Sequence, residues 1–152
     1  MKILISISAA LFATLSMYNC GNSKTATANK TEISTQPADS SKLFKYVFYA
    51  SELKGKTVPE DVKAWLMFNI EKVSGNTGCN STAGSYELSG DNITFKQMAT
   101  TRRACIGDGS QVELNFMETI AETKKWKLTE TELILSNGTS VVGKFKAVPL
   151  LK

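Results

Sequence analysis

The stretch ELILSNGTSVVGKFKAV, residues 132–148, contains two alternating apolar segments separated by Asn137-Gly138. An Asn-Gly pair readily supplies the positive φ angles of a type I′ turn, which joins adjacent antiparallel strands. The residues of the second segment that share one face are Val141, Gly143, Phe145 and Ala147. Because Lys144 and Lys146 occupy the other face, the stretch predicts a hairpin with one face in a core and the other in water.

The same alternation recurs on the N-terminal side of this hairpin, in short segments bounded by turn residues. These segments are residues 45–49, 64–70, 84–88, 92–95 and 125–128. About seven or eight short strands in about 110 residues favour an antiparallel barrel or a strongly curved sheet. The predicted fold class is mainly β (α+β), a small antiparallel β-barrel-like or strongly curved sheet with one packed helix.

Residues 111–123 have a helical period instead. The apolar residues on the predicted core face of this helix are Val112, Phe116 and Ile120. Their spacing of four residues is typical of an amphipathic helix that packs on a core. Ser110, followed three residues later by Glu113, predicts a capping box at the helix start. The glutamates that we expect on the solvent face are Glu113, Glu118 and Glu122.

The N-terminal part of the sequence has the composition of an export signal followed by a tether. Lys2 precedes an uncharged run at residues 3–15. At about 1.5 Å per residue that run spans about 20 Å, which is too short for a transmembrane helix and typical of a signal peptide. We therefore expect a signal peptide at residues 1–19, a flexible tether at residues 20–42 and one folded domain at residues 43–152.

Cys20 lies five residues after the end of this run and resembles the lipidation cysteine of bacterial lipoproteins. That resemblance implies that Cys20 is acylated and anchors the chain stably to a bacterial membrane. The expected location is then the cell envelope, facing the periplasm or the cell surface. The alternative is an ordinary cleaved signal that leaves Cys20 as a free thiol.

Cys79 and Cys105 are the two cysteines that remain once Cys20 is assigned to the membrane. In an exported chain two such cysteines predict a disulfide. A bridge that closes a loop of about 27 residues stabilises a domain by about 3 to 4 kcal/mol. The alternative is a reactive thiol in a redox protein, since Arg102 and Arg103 beside Cys105 would favour a thiolate.

Two features of the composition exclude classes of function. Histidine is absent from the sequence, which removes Ser/His/Asp hydrolases, Cys/His proteases and His-ligated zinc sites. The formal net charge of +4 is too small for a nucleic-acid-binding surface. We therefore expect no enzymatic activity, no cofactor, no metal site and no nucleic-acid partner.

Residues 75–105 contain a series of short motifs. These are GNTGCN at 75–80, GSY at 84–86, ITF at 93–95 and MATTRRAC at 98–105. With them, the chain resembles the META (HslJ-like) domain family over residues 64–148. The resemblance implies a compact β-rich fold with one helix, in envelope proteins associated with heat stress, antibiotic resistance or motility and without an established catalytic mechanism. The candidate binding residues within the motifs are Asn80, Thr101, Arg102 and Arg103.

Three hypotheses of function follow. The first is a non-enzymatic, lipid-anchored envelope protein that supports stress tolerance or antibiotic resistance by contacting another envelope protein. The second is a small-molecule-binding β-barrel, with Trp65, Phe68 and Trp126 lining its mouth. The third is a thiol redox protein that uses Cys79 and Cys105.

Overall fold

The computed structural model describes residues 39–150. The predicted signal peptide, Cys20 and the tether up to residue 38 lie outside the described residues. The first described element is a 3₁₀ helix, Ser40–Lys45, whose Leu43 is fully buried. Within residues 39–150, no helix is both long enough and apolar enough to cross a membrane.

Nine antiparallel strands and one α-helix follow the 3₁₀ helix. The strands are β1 Tyr46–Leu53, β2 Lys56–Thr57, β3 Ala64–Asn69, β4 Lys72–Thr77, β5 Ser81–Ser89, β6 Asn92–Thr100, β7 Lys125–Leu128, β8 Glu132–Ser136 and β9 Val141–Pro149. The helix, α1, is Asp108–Glu122 and connects β6 to β7. This architecture confirms the predicted fold class.

The strands form one sheet that curves back on itself. Its order is β2-β1-β3-β4-β5-β6-β7-β8-β9, and β9 also pairs with β1. The β1–β9 ladder runs from Tyr46↔Pro149 to Leu53↔Gly143, so this closure is long. The β6–β7 contact, in contrast, has a single register pair, Asn92↔Lys125. The ring of strands is therefore strongly joined at β1–β9 and weakly joined at β6–β7.

The inside of the ring is filled by apolar side chains from the sheet and from α1. Phe48, Phe68, Phe116 and Phe145 are fully buried. Phe116 of α1 packs edge to face on Phe145 of β9, with their ring centroids 6.2 Å apart. Buried side chains of this kind each contribute about 1.5–3 kcal/mol of hydrophobic stabilisation. The predicted core face of the helix is confirmed, since Val112 and Ile120 are buried as well.

The start of α1 differs from the prediction. The helix begins at Asp108, and its N-cap is Gly107, which has a φ of 64° and offers no capping side chain. The predicted capping box is therefore wrong. Ser110 lies inside the helix, and the Glu113 carboxylate accepts hydrogen bonds from Thr77 and Asn80.

The β8–β9 hairpin is confirmed, but its turn is not the predicted one. Residues 137–140 form a four-residue loop in which Asn137 Oδ1 accepts hydrogen bonds from the backbone N–H groups of Thr139 and Ser140. Of the Asn-Gly pair, only Gly138 has a positive φ. Val141 was predicted to face the core and is 45% exposed, because the register shifts between Leu135 and Ser136. The shift turns Val142 inward instead.

Candidate functional site

Asn80 is the centre of a hydrogen-bonded cluster in the turn between β4 and β5. Its side chain is 1% exposed. Asn80 Oδ1 accepts hydrogen bonds from Arg103 N at 2.8 Å and from Thr101 Oγ1 at 2.9 Å. Asn80 Nδ2 donates to Glu113 Oε2 at 2.9 Å and to Arg103 O at 3.2 Å. One amide therefore joins the β4–β5 turn, the segment after β6 and the helix.

Glu113 is the acceptor on the helix side of this cluster. Thr77 Oγ1 donates to Glu113 Oε2 at 2.6 Å, and Asn80 N donates to the same oxygen at 3.2 Å. Thr77 is fully buried at the end of β4. Because a partly buried carboxylate needs hydrogen-bond donors in place of the water it has lost, these bonds satisfy Glu113. We call Thr77, Asn80, Thr101, Arg103 and Glu113 the Asn80 cluster.

A disulfide covers the cluster. Cys79 and Cys105 are bonded, as predicted, with their Cα atoms 5.7 Å apart and a sequence separation of 26. Asn80 Nδ2 lies 3.5 Å from Cys105 Sγ. The Arg103 guanidinium donates to Cys79 O at 3.0 Å. The segment between β6 and α1 is thus attached to the β4–β5 turn by one covalent bond and several hydrogen bonds.

Three of the four candidate binding residues meet in this cluster. Asn80, Thr101 and Arg103 are joined by direct hydrogen bonds. Arg102 is exposed, and within residues 39–150 its side chain takes part in no ion pair. Thr77 and Glu113 belong to the cluster and were not among the candidates. The prediction that Glu113 lies on the solvent face of the helix is therefore wrong.

The chemistry open to the cluster is narrow. Within the described part of the chain, every buried side-chain nitrogen and oxygen has a hydrogen-bond partner. Ligand atoms of Cys79, Cys105 and Glu113 lie within 4.8 Å of one another, but both sulfurs are in the disulfide and neither is a thiolate. A thiolate at Cys105 would also be repelled by Glu113, whose Oε2 is 3.8 Å from the sulfur. The arrangement is that of a structural clamp.

A second concave region lies on the outer face of the sheet. It is a cavity of about 740 Å³ between the outer surfaces of β1, β3 and β9 and the loop that precedes β3. We call it the outer groove. Tyr49, Trp65 and Lys146 line its floor, and Pro59 and Lys63 belong to its wall.

The three aromatic residues predicted to line the mouth of a barrel do not come together. Phe68 and Trp126 are 1% and 3% exposed and belong to the core. Trp126 also donates its indole N–H to Gly90 O at 3.1 Å. Trp65 lies on the opposite face of β3 from Phe68 and lines the outer groove.

Tyr86 and Lys144, two of the four groups with shifted pKa values, lie outside both regions. Burial, and to a smaller degree the charge of Glu71, raises the pKa of Tyr86, whose hydroxyl donates to Asn69 O at 2.8 Å. The pKa of Lys144 is raised by a hydrogen bond to the Glu52 carboxylate and by its charge. The Lys144 Nζ to Glu52 Oε2 distance is 2.9 Å. Neither shifted group is in the Asn80 cluster or in the lining of the outer groove.

Comparisons with solved structures agree with this fold. A protein from Burkholderia xenovorans, solved by NMR, superposes with a TM-score of 0.63 at 20% identity, over 74% of this chain and 88% of that protein. A second NMR structure gives a TM-score of 0.60 at 23% identity, over 74% of this chain and 97% of the other. A crystal structure of a DUF4847 family protein from Bacteroides vulgatus gives 0.54 at 10% identity, over 74% and 99%.

In sequence, no curated protein matches the chain at a significant level. The model of the META domain family matches residues 41–148, which include the ring of strands up to the last residue but one of β9, the helix and the Asn80 cluster. This match spans well over half of the sequence, and the chain belongs to the META domain family.

Proposed function

We propose that this chain is an exported lipoprotein of the bacterial cell envelope, anchored through an acylated Cys20, that acts by contacting another envelope protein. It supports tolerance of envelope stress or of antibiotics and has no catalytic role of its own. The observation that carries the proposal is the disulfide-covered Asn80 cluster. Its motif residues are all engaged in holding the domain together.

The disulfide supports export. Disulfides persist in the periplasm and at cell surfaces and are rare in the reducing cytosol. Cys79 and Cys105 are bonded in a chain whose N-terminal sequence has the pattern of a signal peptide. Both features are expected of a protein that folds outside the cytoplasm.

The hydrogen bonding of the cluster supports a non-catalytic role. A catalytic group must reach a substrate, and a general base must have a free lone pair near it. In the Asn80 cluster, the carboxylate of Glu113 already accepts from Thr77 and Asn80. The guanidinium of Arg103 already donates to a backbone carbonyl. The side chains of the Asn80 cluster are therefore accounted for by the stability that they provide.

Two exposed apolar side chains beside the cluster supply a contact surface. Ile106 directly follows Cys105 and is 94% exposed, and Leu114 directly follows Glu113 and is 54% exposed. The disulfide and the helix hold both backbones in place. Apolar side chains on rigid supports gain free energy when a partner covers them. We assign the protein contact to this surface.

The anchoring step is tested by the intact mass of the protein isolated from cells, reduced and unreduced. The expected product begins at Cys20, carries acyl chains and loses two protons to the disulfide. Its Cys20→Ser variant should lose the acyl mass and leave the membrane fraction. An unprocessed chain in the cytosol, or a processed chain without acyl groups, would contradict the anchoring.

The contact is tested by photocrosslinking in intact cells, with a photoreactive residue at position 106. Position 70 is the matched control, since Ile70 is also an exposed isoleucine, at 77%. We expect a discrete crosslinked protein from position 106 and none from position 70. Equal yields at the two positions, or no protein adduct at either, would remove the assigned surface. Loss of stress tolerance in a deletion strain, restored by the wild type and not by Ile106→Asp, links the contact to the phenotype.

A further inference from the structure

The floor of the outer groove is a row of three side chains on adjacent strands. Tyr49 of β1 is the register partner of Trp65 of β3 on one side and of Lys146 of β9 on the other. Side chains of such partners stand about 4.5–5.5 Å apart at Cβ and touch. The row therefore presents an ammonium group, a phenol ring and an indole ring side by side. Tyr49 is 38% exposed, although most large rings of the domain are buried.

The wall of the outer groove is held in place by the backbone. Val58 N donates to Ser51 O at 3.0 Å, and Val62 N donates to Pro59 O at 3.1 Å. Val58 itself is 8% exposed and packs into the core. Because the wall is fixed by these contacts, the groove is formed before any ligand arrives. A preformed cavity loses less entropy on binding than one that must be assembled.

The charged groups at the groove favour an anion. Lys146 forms no ion pair with any residue from 39 to 150. Lys63 donates from Nζ to the backbone oxygen of Glu60, at 2.6 Å, and this bond holds its ammonium group at the rim. Within the lining, Lys63 and Lys146 against Glu60 leave one net positive charge; Glu132 of β8, the register partner of Lys146, lies outside the lining.

We propose that the outer groove binds a small organic anion that carries a flat ring system. The ring stacks on Trp65 and Tyr49, and the anionic group lies between Lys63 and Lys146. The cavity volume of about 740 Å³ is within the range of small-molecule sites. The inference goes beyond the proposed lipoprotein role, because no step of it requires anchoring or a protein partner.

The two tryptophans provide a site-resolved assay. Trp65 lies in the groove, whereas Trp126 is 3% exposed and its indole N–H is bonded to Gly90 O. In the ¹⁵N-labelled full-length chain, each indole N–H gives its own signal. The probe is 2-naphthoate, and its neutral isostere 2-naphthamide is the matched control. We expect 2-naphthoate, up to about 10 mM, to shift the Trp65 signal with saturation and to leave Trp126 in place.

Charge-removal variants test the role of the lysines. Lys63→Gln and Lys146→Gln should each weaken 2-naphthoate binding about fivefold, as expected for exposed ion pairs, and leave 2-naphthamide unaffected. Lys127→Gln, at an exposed lysine of β7, is the matched variant and should bind as the wild type does. The amide signals of each variant confirm that the fold is intact.

Three results would overturn the proposal. One is a Trp65 signal that does not move. Another is equal binding of 2-naphthoate and 2-naphthamide, which would show stacking without charge recognition. The third is an equal shift of Trp65 and Trp126, which would show nonspecific association. Each of these leaves the lipoprotein proposal untouched, because Cys20 and Ile106 take no part in the assay.

Discussion

Replacing Asn80 by aspartate tests whether the Asn80 cluster is a structural clamp. The substitution keeps the size of the side chain and exchanges the Nδ2 donor for a carboxylate oxygen. Nδ2 lies 2.9 Å from Glu113 Oε2 and 3.2 Å from Arg103 O. In Asn80→Asp, two attractive contacts therefore become repulsions between oxygen atoms, one of them between two carboxylates.

The magnitude follows from the bonds that are lost. A hydrogen bond to a charged group is worth about 1.5–3 kcal/mol, and an uncompensated buried charge costs about 3–5 kcal/mol. Because the two effects overlap at one atom, we expect Asn80→Asp to lower the free energy of unfolding by about 4 kcal/mol near pH 7. The total for a domain is about 5–15 kcal/mol, so the variant should still fold.

The loss should depend on pH. Two carboxylates this close retain a shared proton more strongly in the folded protein than in the unfolded chain. The folded variant then binds more protons than its unfolded chain does. Its stability therefore falls as pH rises above the range in which separate carboxyl groups titrate. The loss in free energy of unfolding caused by Asn80→Asp should be smallest near pH 4 and should reach its full value near pH 7.

The assay is urea unfolding of the oxidised full-length chain at both pH values. Adding Glu113→Gln to Asn80→Asp restores a donor opposite the new carboxylate and should recover about half of the loss. Asn69→Asp, at an exposed asparagine, is the matched control and should stay within about 0.5 kcal/mol of the wild type. A similar cost for Asn80→Asp and Asn69→Asp, or a deficit that is equal at the two pH values, would refute the clamp.

Three further predictions concern stability and are measured by the same unfolding assay. Replacing Cys79 and Cys105 together by alanine should cost about 3.5 kcal/mol, and a loss below about 1 kcal/mol would contradict the chain-entropy estimate. Gly75→Ala should lower the free energy of unfolding by at least about 3 kcal/mol, because a Cβ there would lie 2.2 Å from the backbone oxygen of Trp65 in the neighbouring strand β3. Gly90→Ala is the control, since a Cβ there has nothing within 4 Å, and it should cost only about 1 kcal/mol. Equal costs for the two variants would exclude the steric explanation. Because burial raises the pKa of Tyr86, the folded state holds the phenol proton more tightly, and the stability of the protein should fall as pH rises above about 10. Tyr86→Phe should lose about 1 kcal/mol at neutral pH, and its stability should fall less steeply at alkaline pH. An alkaline profile identical to that of the wild type would argue that Tyr86 is not the group responsible.

The sheet could be predicted from sequence because its inner face is apolar and its outer face is polar over most strands. In β9, Phe145 faces the core and Lys144 and Lys146 do not, as the alternation indicated. Val141 marks the limit of this reasoning. A register shift in the β8–β9 ladder reverses the faces at the start of β9, and no local sequence pattern specifies such a shift.

The side of β3 on which each aromatic lies could also have been predicted. Trp65 and Phe68 are three residues apart, and on a regular strand an odd separation puts two side chains on opposite faces. They could not both line one barrel mouth. The same parity would have assigned Trp65 to the outer face, together with Met67, once Leu66 and Phe68 were assigned to the core.

Glu113 was the main residue of the cluster that the sequence interpretation missed, although its position carried a signal. It precedes Ile120 by seven residues, which at 100° per residue brings the two to within about 20° on the helix surface. Glu122, nine residues after Glu113, lies about 180° away from it. A carboxylate in line with a core isoleucine predicts a buried partner. The identity of that partner, Asn80, depends on tertiary contacts that sequence spacing cannot give.

The clamp and the weak β6–β7 contact have a common explanation. β6 and β7 share one register pair, with the adjacent bonds Ile93 N to Lys124 O at 3.0 Å and Trp126 N to Asp91 O at 2.9 Å. Beyond this point β6 has no register pair with β7, and a cavity of about 240 Å³ is lined by side chains of β6 and α1. The connection between β6 and β7 runs instead through the Asn80 cluster, the disulfide and the buried face of α1. Side-chain bonds of the Asn80 cluster therefore attach the segment after β6 and the start of α1 to the β4–β5 turn, and they hold in place the helix that leads to β7 where strand pairing supplies one register pair.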